Sequence, residues 1–123
     1  MDDMLSETEA LATLLREHKG DNVAVLDLRK MGAWTDFFVI ATATSNAHLD
    51  GLERHIKEFC NERGIEILRR SRKPSALYRT RASPGTLNQE DEWRIIDLGS
   101  AVIHLMSRKA REFYDLERLY SMS

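Results

Sequence analysis

The chain has 123 residues, 42% of them apolar and 31% charged, with a formal net charge of −2. That size and balance point to one domain spanning 1–123, argue against wholesale disorder, and exclude the positive field of a general nucleic-acid binder. No apolar run approaches the roughly 20 residues of a membrane span, the start Met1-Asp2-Asp3 is no signal-peptide n-region, and Cys60 is the single cysteine, so a cytoplasmic protein without a disulfide framework is expected.

The first element reads as a helix. Ser6 and Glu9 form a capping box, and Leu11, Leu14, Leu15 and His18 recur at helical spacing. Gly20 is its expected stop. Val23 to Leu28 is apolar at both parities, which predicts a strand buried on both faces, and Phe37 to Ala41 predicts a second. Thr42, Thr44, Ser45 and Asn46 supply turn and N-cap chemistry for another helix, with Leu49, Leu52, Ile56, Phe59 and Cys60 as its apolar stripe and Gly64 as its end. Ile65 to Leu68 is strand-like. The stretch from Ser71 to Asp91 is the least regular, with a short edge strand expected at Leu77 to Thr80.

Gly99-Ser100 between Trp93–Leu98 and Ala101–Met106 is a two-residue hairpin signal. Counting outward from Leu98 opposite Ala101 puts Arg94, Ile96, Leu98, Ala101, Ile103 and Leu105 on one face. Trp93, Ile95, Asp97, Val102, His104 and Met106 fall on the other. The first is a core face; the second is too mixed for ordinary core. Ser107 then caps a last helix in which Ala110, Phe113, Leu116 and Tyr120 form one stripe and Arg111, Tyr114 and Arg118 another. The order predicts an α/β (α+β) fold, a single mixed sheet of about five strands with helices packed on it.

Few residue constellations in the chain could carry chemistry. His48 and His55 stand two turns apart on one helix, roughly 10 Å along its axis, too far to share an ion readily, and no Cys-x-x-Cys, His-Glu-x-x-His or His-x-His occurs. No metal and no cofactor are expected. Asp27, Asp36 and Asp97 do not show the strand-face pairing that two-metal transfer needs, and the glycines are isolated rather than forming a phosphate loop. No catalytic residue is therefore assigned. Arg69, Arg70, Arg72, Lys73, Arg79 and Arg81 crowd thirteen residues, either as a solvated basic loop or as a phosphate-contacting patch. Trp93, Met106, Arg111 and Tyr114 carry the residue types enriched at interface hot spots, with coverage of Trp93 and Met106 by a helix as the other reading.

The run Trp93-Arg94-Ile95-Ile96-Asp97-Leu98-Gly99, then Val102-Ile103-His104, then Arg111-Glu112-Phe113-Tyr114-Asp115-Leu116-Glu117-Arg118-Leu119 closely resembles the ribosomal silencing factor (RsfS, Iojap) family. Val25 to Leu28, Thr35 to Ala41 and Thr44 to His48 fit its pattern in order and spacing. The resemblance implies a nucleotidyltransferase-like topology without the catalytic carboxylates, and a non-enzymatic translation repressor. It implies binding to the large ribosomal subunit through large-subunit ribosomal protein fourteen, sterically blocking the small subunit, and a homodimer as one form of the free protein. Its implied contact residues here are Trp93, Asp97, Leu98, Met106 and Tyr114, with Arg111 supporting. The chain departs from the family in having Ser100 where Asp is usual, and an arginine-rich Arg69 to Asp91 region where a short Glu-Gly segment is typical. Contact of Arg69, Arg70, Arg72 and Lys73 with ribosomal RNA is a separate expectation from their charge. The alternative is a nucleotidyltransferase-fold enzyme acting on a nucleotide.

Overall fold

A computed structural model describes residues 3–71 and 93–116. The edge strand expected at Leu77 to Thr80 and the positions of Arg72, Lys73, Arg118 and Tyr120 lie outside them. The order is α1 (Asp3–Glu17), β1 (Asp21–Asp27), β2 (Phe37–Ala43), α2 (Asn46–Arg63), β3 (Arg69–Ser71), β4 (Trp93–Asp97), β5 (Ala101–Ser107) and α3 (Arg108–Tyr114). The strands form one sheet in the order β1-β2-β5-β4-β3. β2 and β5 run parallel at its centre, and every other neighbouring pair is antiparallel.

The hairpin register is the one counted from Gly99-Ser100. Leu98 donates to the Ala101 carbonyl at 2.8 Å, and Trp93 faces Met106, Ile95 faces His104 and Asp97 faces Val102. Alternation then splits the interior into two layers. Val39, Ala41, Ile96, Leu98, Ile103 and Leu105 pack with α1 and α2 on one face. Phe38, Ile40, Trp93, Ile95, Val102 and Met106 pack with Leu28, Ala110 and Leu116 on the other.

α2 follows its sequence signals closely. Ser45 accepts the His48 N–H at 3.0 Å, and the buried residues are Leu49, Leu52, Ile56, Phe59 and Cys60. Gly64 at φ 69° lets the Ile65 N–H reach back to the Cys60 carbonyl at 2.8 Å, which satisfies an orphaned helix acceptor. Arg94, only 4% exposed, reaches from β4 to Asp50 and Glu53 of α2, and Arg70 of β3 adds a 3.1 Å contact to Glu53. This charged cluster fixes the helix over the hairpin. Its cation is buried with partners, the condition under which burial of charge is tolerated.

Five local expectations are corrected. α1 begins at Asp3, so Ser6 is an exposed residue inside the helix rather than its cap; the good helix formers around it carry the extra turn. Lys19, at φ 70°, makes the left-handed exit, and Gly20 is needed for space, because a Cβ there would meet the Leu15 carbonyl oxygen at 2.8 Å. β1 is an edge strand, half-exposed from Val23 to Leu26, rather than doubly buried; its apolar residues divide between the two layers, Val23 and Val25 to one and Leu26 to the other. Ile65 to Leu68 is not a strand. Ile65 and Ile67 pack on the first layer, but pairing with β4 begins only at Arg69. Finally, α3 stops at Tyr114, where Asp115 adopts φ 46°. Within α3 Ala110 is buried while Phe113 is 50% exposed, so the expected stripe already parts there, and Leu116 past the break is buried.

Two glycines should respond oppositely to alanine. Gly51 lies inside α2 with open space around a new Cβ, so Gly51→Ala should raise stability by about 0.5–1 kcal/mol. Gly99 sits at φ +92° with Leu68 Cδ1 3.3 Å from a new Cβ, so Gly99→Ala should lower it by about 1–2 kcal/mol. Urea midpoints at constant slope would check both.

Candidate functional site

The mixed hairpin face is the interior of the second layer. Trp93, Met106 and His104 are 0% exposed, and Leu98, Arg111 and Asp97 are 7%, 7% and 8% exposed. Only Tyr114 among the six expected contact residues has a side chain outside the described part. Trp93 and Met106 are thus covered, and the structure places both behind other groups rather than on a surface.

The polar groups of this layer have defined work. The Trp93 indole N–H donates to His104 Nδ1 at 3.0 Å, which leaves the imidazole proton on Nε2. Phe38 meets the same ring edge-on at 4.4 Å between centroids. Burial alone pushes the His104 pKa down to about 3 from 6.5, because desolvation penalises the imidazolium. Arg111 of α3 donates to Thr42 Oγ1 on β2 at 3.0 Å and approaches the Asp21 carbonyl at 3.5 Å. It therefore staples the last helix to the sheet. Asp97 Oδ1 accepts the Gly99 N–H at 2.8 Å, and its other oxygen faces Arg69 at 3.6 Å. The carboxylate is committed to the turn it precedes.

The turn is braced from neighbouring segments. Thr35 Oγ1 donates to the Gly99 carbonyl at 2.9 Å, and the Asp36 and Phe37 N–H groups both donate to the Ser100 carbonyl at 3.1 Å. On the opposite side Leu68 donates to the Asp97 carbonyl at 2.8 Å. Exposed apolar groups stand beside this structure: Trp34 at 46% and Leu68 at 55%. Neither was singled out from sequence. The available signal was local, a tryptophan in a loop whose next residue, Thr35, is a buried hydrogen-bonding threonine.

Candidate catalytic groups are not gathered. Arg29 grips Asp27 through Nε and Nη2 at 3.0 and 2.7 Å, and with its backbone N–H it holds that carboxyl down at about 2. His48 takes the Thr44 N–H on Nδ1 at 3.1 Å and reaches the His18 carbonyl through Nε2 at 3.0 Å, which makes it a brace between α1 and α2. His55 stacks on His18 with centroids 3.6 Å apart. Among the described residues no group of three or more His, Cys, Asp or Glu could hold a metal ion. A crevice of about 520 Å³ opens at the carboxyl ends of β2 and β5, lined by Thr44, Ser45, Asn46, Ser107, Arg108 and Lys109 among others. Among the described residues no carboxylate lines it.

These features define a small α+β protein whose most elaborated surface is a braced hairpin end, with its aromatic and charged interior serving as support. Comparison with known proteins assigns the family. Residues 2–123 match the family described as ribosomal silencing factor during starvation, and the chain belongs to it. It is 32% identical over 111 residues to the ribosomal silencing factor of Treponema pallidum, covering 90% of this chain and 86% of that protein. It is 28% identical to a mouse protein named for mitochondrial assembly of the ribosomal large subunit, covering 94% of this chain but only 46% of the mouse one. A crystal structure of a Chromobacterium violaceum protein superposes with a TM-score of 0.71 at 26% identity, covering 96% of this chain and 87% of that one. The family name is that of a ribosomal regulatory factor. No helix among the described residues is long and apolar enough to cross a membrane.

His104 gives this site an acid-sensitive term with a definite sign. Its folded pKa lies below its unfolded one, so its contribution is complete above about pH 6.5 and is lost as pH falls toward 3, at up to about 1.4 kcal/mol per unit. His104→Gln, which keeps an acceptor for Trp93, should be less stable than the parent at pH 7.5, and the gap should narrow steadily by pH 4.5. Urea midpoints of the two proteins across that range would show it; a constant gap would contradict it.

Proposed function

We propose that this protein binds the large ribosomal subunit through large-subunit ribosomal protein fourteen and, by occupying the intersubunit side, keeps the small subunit from joining. The observation that carries this reading is the family match over residues 2–123. The names of the Treponema and mouse relatives point the same way. The mechanism needs position rather than chemistry: a patch of ordinary size, about 800 Å² per partner, holds a small body in the path of a large one.

The residues that the resemblance nominates divide by burial. Trp93, Met106 and Arg111 would act from within by holding β4, β5 and α3 in one shape, while Leu98 and Asp97 would set the turn and Tyr114 would be the contact on α3. Arg69 and Arg70 are exposed beside this end and would add phosphate contacts with ribosomal RNA, together with Arg72 and Lys73. Self-association of the free chain through the same surface would compete with docking.

The protein should co-sediment with purified large subunits and not with small ones, and should lower the fraction of joined ribosomes in proportion to the subunits it occupies. Joining that proceeds undiminished on saturated large subunits would defeat the steric mechanism. Replacing Arg69, Arg70, Arg72 and Lys73 with Ala should weaken binding and flatten its dependence on salt, since each lost phosphate contact removes released counterions. An unchanged salt slope would remove RNA from the contact.

A further inference from the structure

β2 and β5 are parallel neighbours that end level, with Ala43 opposite Ser107. From that shared end the chain leaves in opposite directions. After β2 it enters α2, whose Leu49, Leu52 and Ile56 pack in the first layer. After β5 it enters α3, whose Ala110 packs in the second. Adjacent parallel strands whose connections go to opposite faces leave a gap beyond their carboxyl ends, and open α/β sheets hold small ligands in such gaps. Here the gap is the crevice of about 520 Å³, with the buried Ala43 and Leu49 in its lining. That volume lies in the range of small-molecule sites. The crevice is at the other end of β5 from the Gly99-Ser100 turn.

The lining decides the class of ligand. The β2–α2 junction contributes Thr44, Ser45 and Asn46, and the β5–α3 junction contributes Ser107, Arg108 and Lys109. Two of these side chains are cationic, and neither helix has an acidic residue in its first turn. Ser45 Oγ accepts the His48 N–H at 3.0 Å, so what its hydroxyl offers outward is a donor. Cations and a hydroxyl donor around a small concave space suit a phosphate group, and an apolar ligand would desolvate them without return.

The carboxylate that competes for Arg108 is Asp21, at 3.4 Å with both side chains more than half exposed. A surface pair of that kind is worth little, and it yields to a more highly charged anion. Concavity and charge also set the size of the ligand. The whole chain carries a net charge of −2 and so lacks the broad positive field that a nucleic-acid backbone needs. A local pair of cations in a crevice suits a compact anion.

We propose that the crevice at the carboxyl ends of β2 and β5 binds a phosphorylated small molecule, with Arg108, Lys109 and the Ser45 hydroxyl holding its phosphate. The site is independent of the ribosome reading, since it requires only the isolated chain. A ligand there joins the start of α2 to the start of α3, and so should stabilise the fold by mass action.

The test uses inorganic pyrophosphate as the probe and the full chain as the protein, with calorimetry for affinity and melting temperature for stability. Pyrophosphate should bind saturably at one site and raise the melting temperature, while sodium chloride of equal ionic strength should do neither. Arg108→Ala and Lys109→Ala should each weaken binding about tenfold, the loss of one charge-assisted hydrogen bond. Ser45→Asp keeps an acceptor for the His48 N–H, so it should melt close to the parent yet lose pyrophosphate binding. Arg54→Ala with Lys57→Ala, which removes two cations from a different groove on α2, should bind as the parent does. Absence of saturable binding would overturn the site, as would parental affinity in Arg108→Ala, Lys109→Ala and Ser45→Asp together. An equal loss in the Arg54 and Lys57 variant would reduce the binding to general charge and overturn it too. A short single-stranded RNA should leave bound pyrophosphate in place; displacement by RNA at lower concentration than unlabelled pyrophosphate would overturn the small-molecule assignment.

Discussion

The turn at Gly99-Ser100 sets the register on which both layers of the molecule depend. Because side chains alternate along a strand, a slip of one residue in the β4–β5 pairing would send Ile96, Ile103 and Leu105 to the side of Trp93 and Met106, and the reverse. Each layer is shaped for its own set: two long amphipathic helices cover one, and a short helix with the Leu28–Ala33 segment covers the other. Gly99 at φ +92° supplies the backbone geometry, and the Asp97 carboxylate fills the donor site that this geometry opens. The parallel β2–β5 contact then locks the choice, since Phe37 pairs with Ala101 and the ladder continues without a shift to Ser107.

Buried polar side chains do the complementary work of fixing helices to this sheet. Arg94 ties β4 to α2 through two carboxylates, while Arg111 ties α3 to β2 through the Thr42 hydroxyl. Apolar packing alone is permissive about sliding; a guanidinium with directed partners is not. A chain of this size has few residues to spend on specificity, and its arginines sit where one layer meets a strand end. The Trp93–His104 hydrogen bond plays the same part inside the second layer, where a neutral imidazole accepts what an aliphatic side chain could not.

Much of this was legible in the residues. The α2 stripe, its serine cap and its glycine stop were read as they stand, because capping and periodicity act within one turn of helix. The hairpin and its two faces were read for the same reason, with register following from a two-residue loop. What escaped depended on distant partners. β1 is as apolar as a central strand, and only its place at the sheet margin exposes it. The last helix ends at Tyr114 because Asp115 turns left-handed, a choice no spacing announces, so the expected stripe does not run on as one helix to Leu116. The mixed face around Trp93 suggested a surface, and it became a core because Ala110, Leu116 and Leu28 come from three other places in the chain to cover it.

That covering alters how the residues implied by resemblance can matter to a partner. A side chain with no exposed area cannot be touched, yet its loss can still abolish binding by deforming what is touched. Trp93 and Met106 lie directly across from each other at the far end of the hairpin from its tip, so their influence on the tip runs through the strands between. Asp97 lies one residue before Leu98 and two before Gly99, and its influence is a single hydrogen bond long. The gradient is physical: a buried change at Trp93 acts through stability and shape together, whereas a change at Asp97 acts on the turn with the rest of the sheet intact. The tip itself inherits its rigidity from the core beneath it, through the braces that Thr35, Asp36, Phe37 and Asp97 supply.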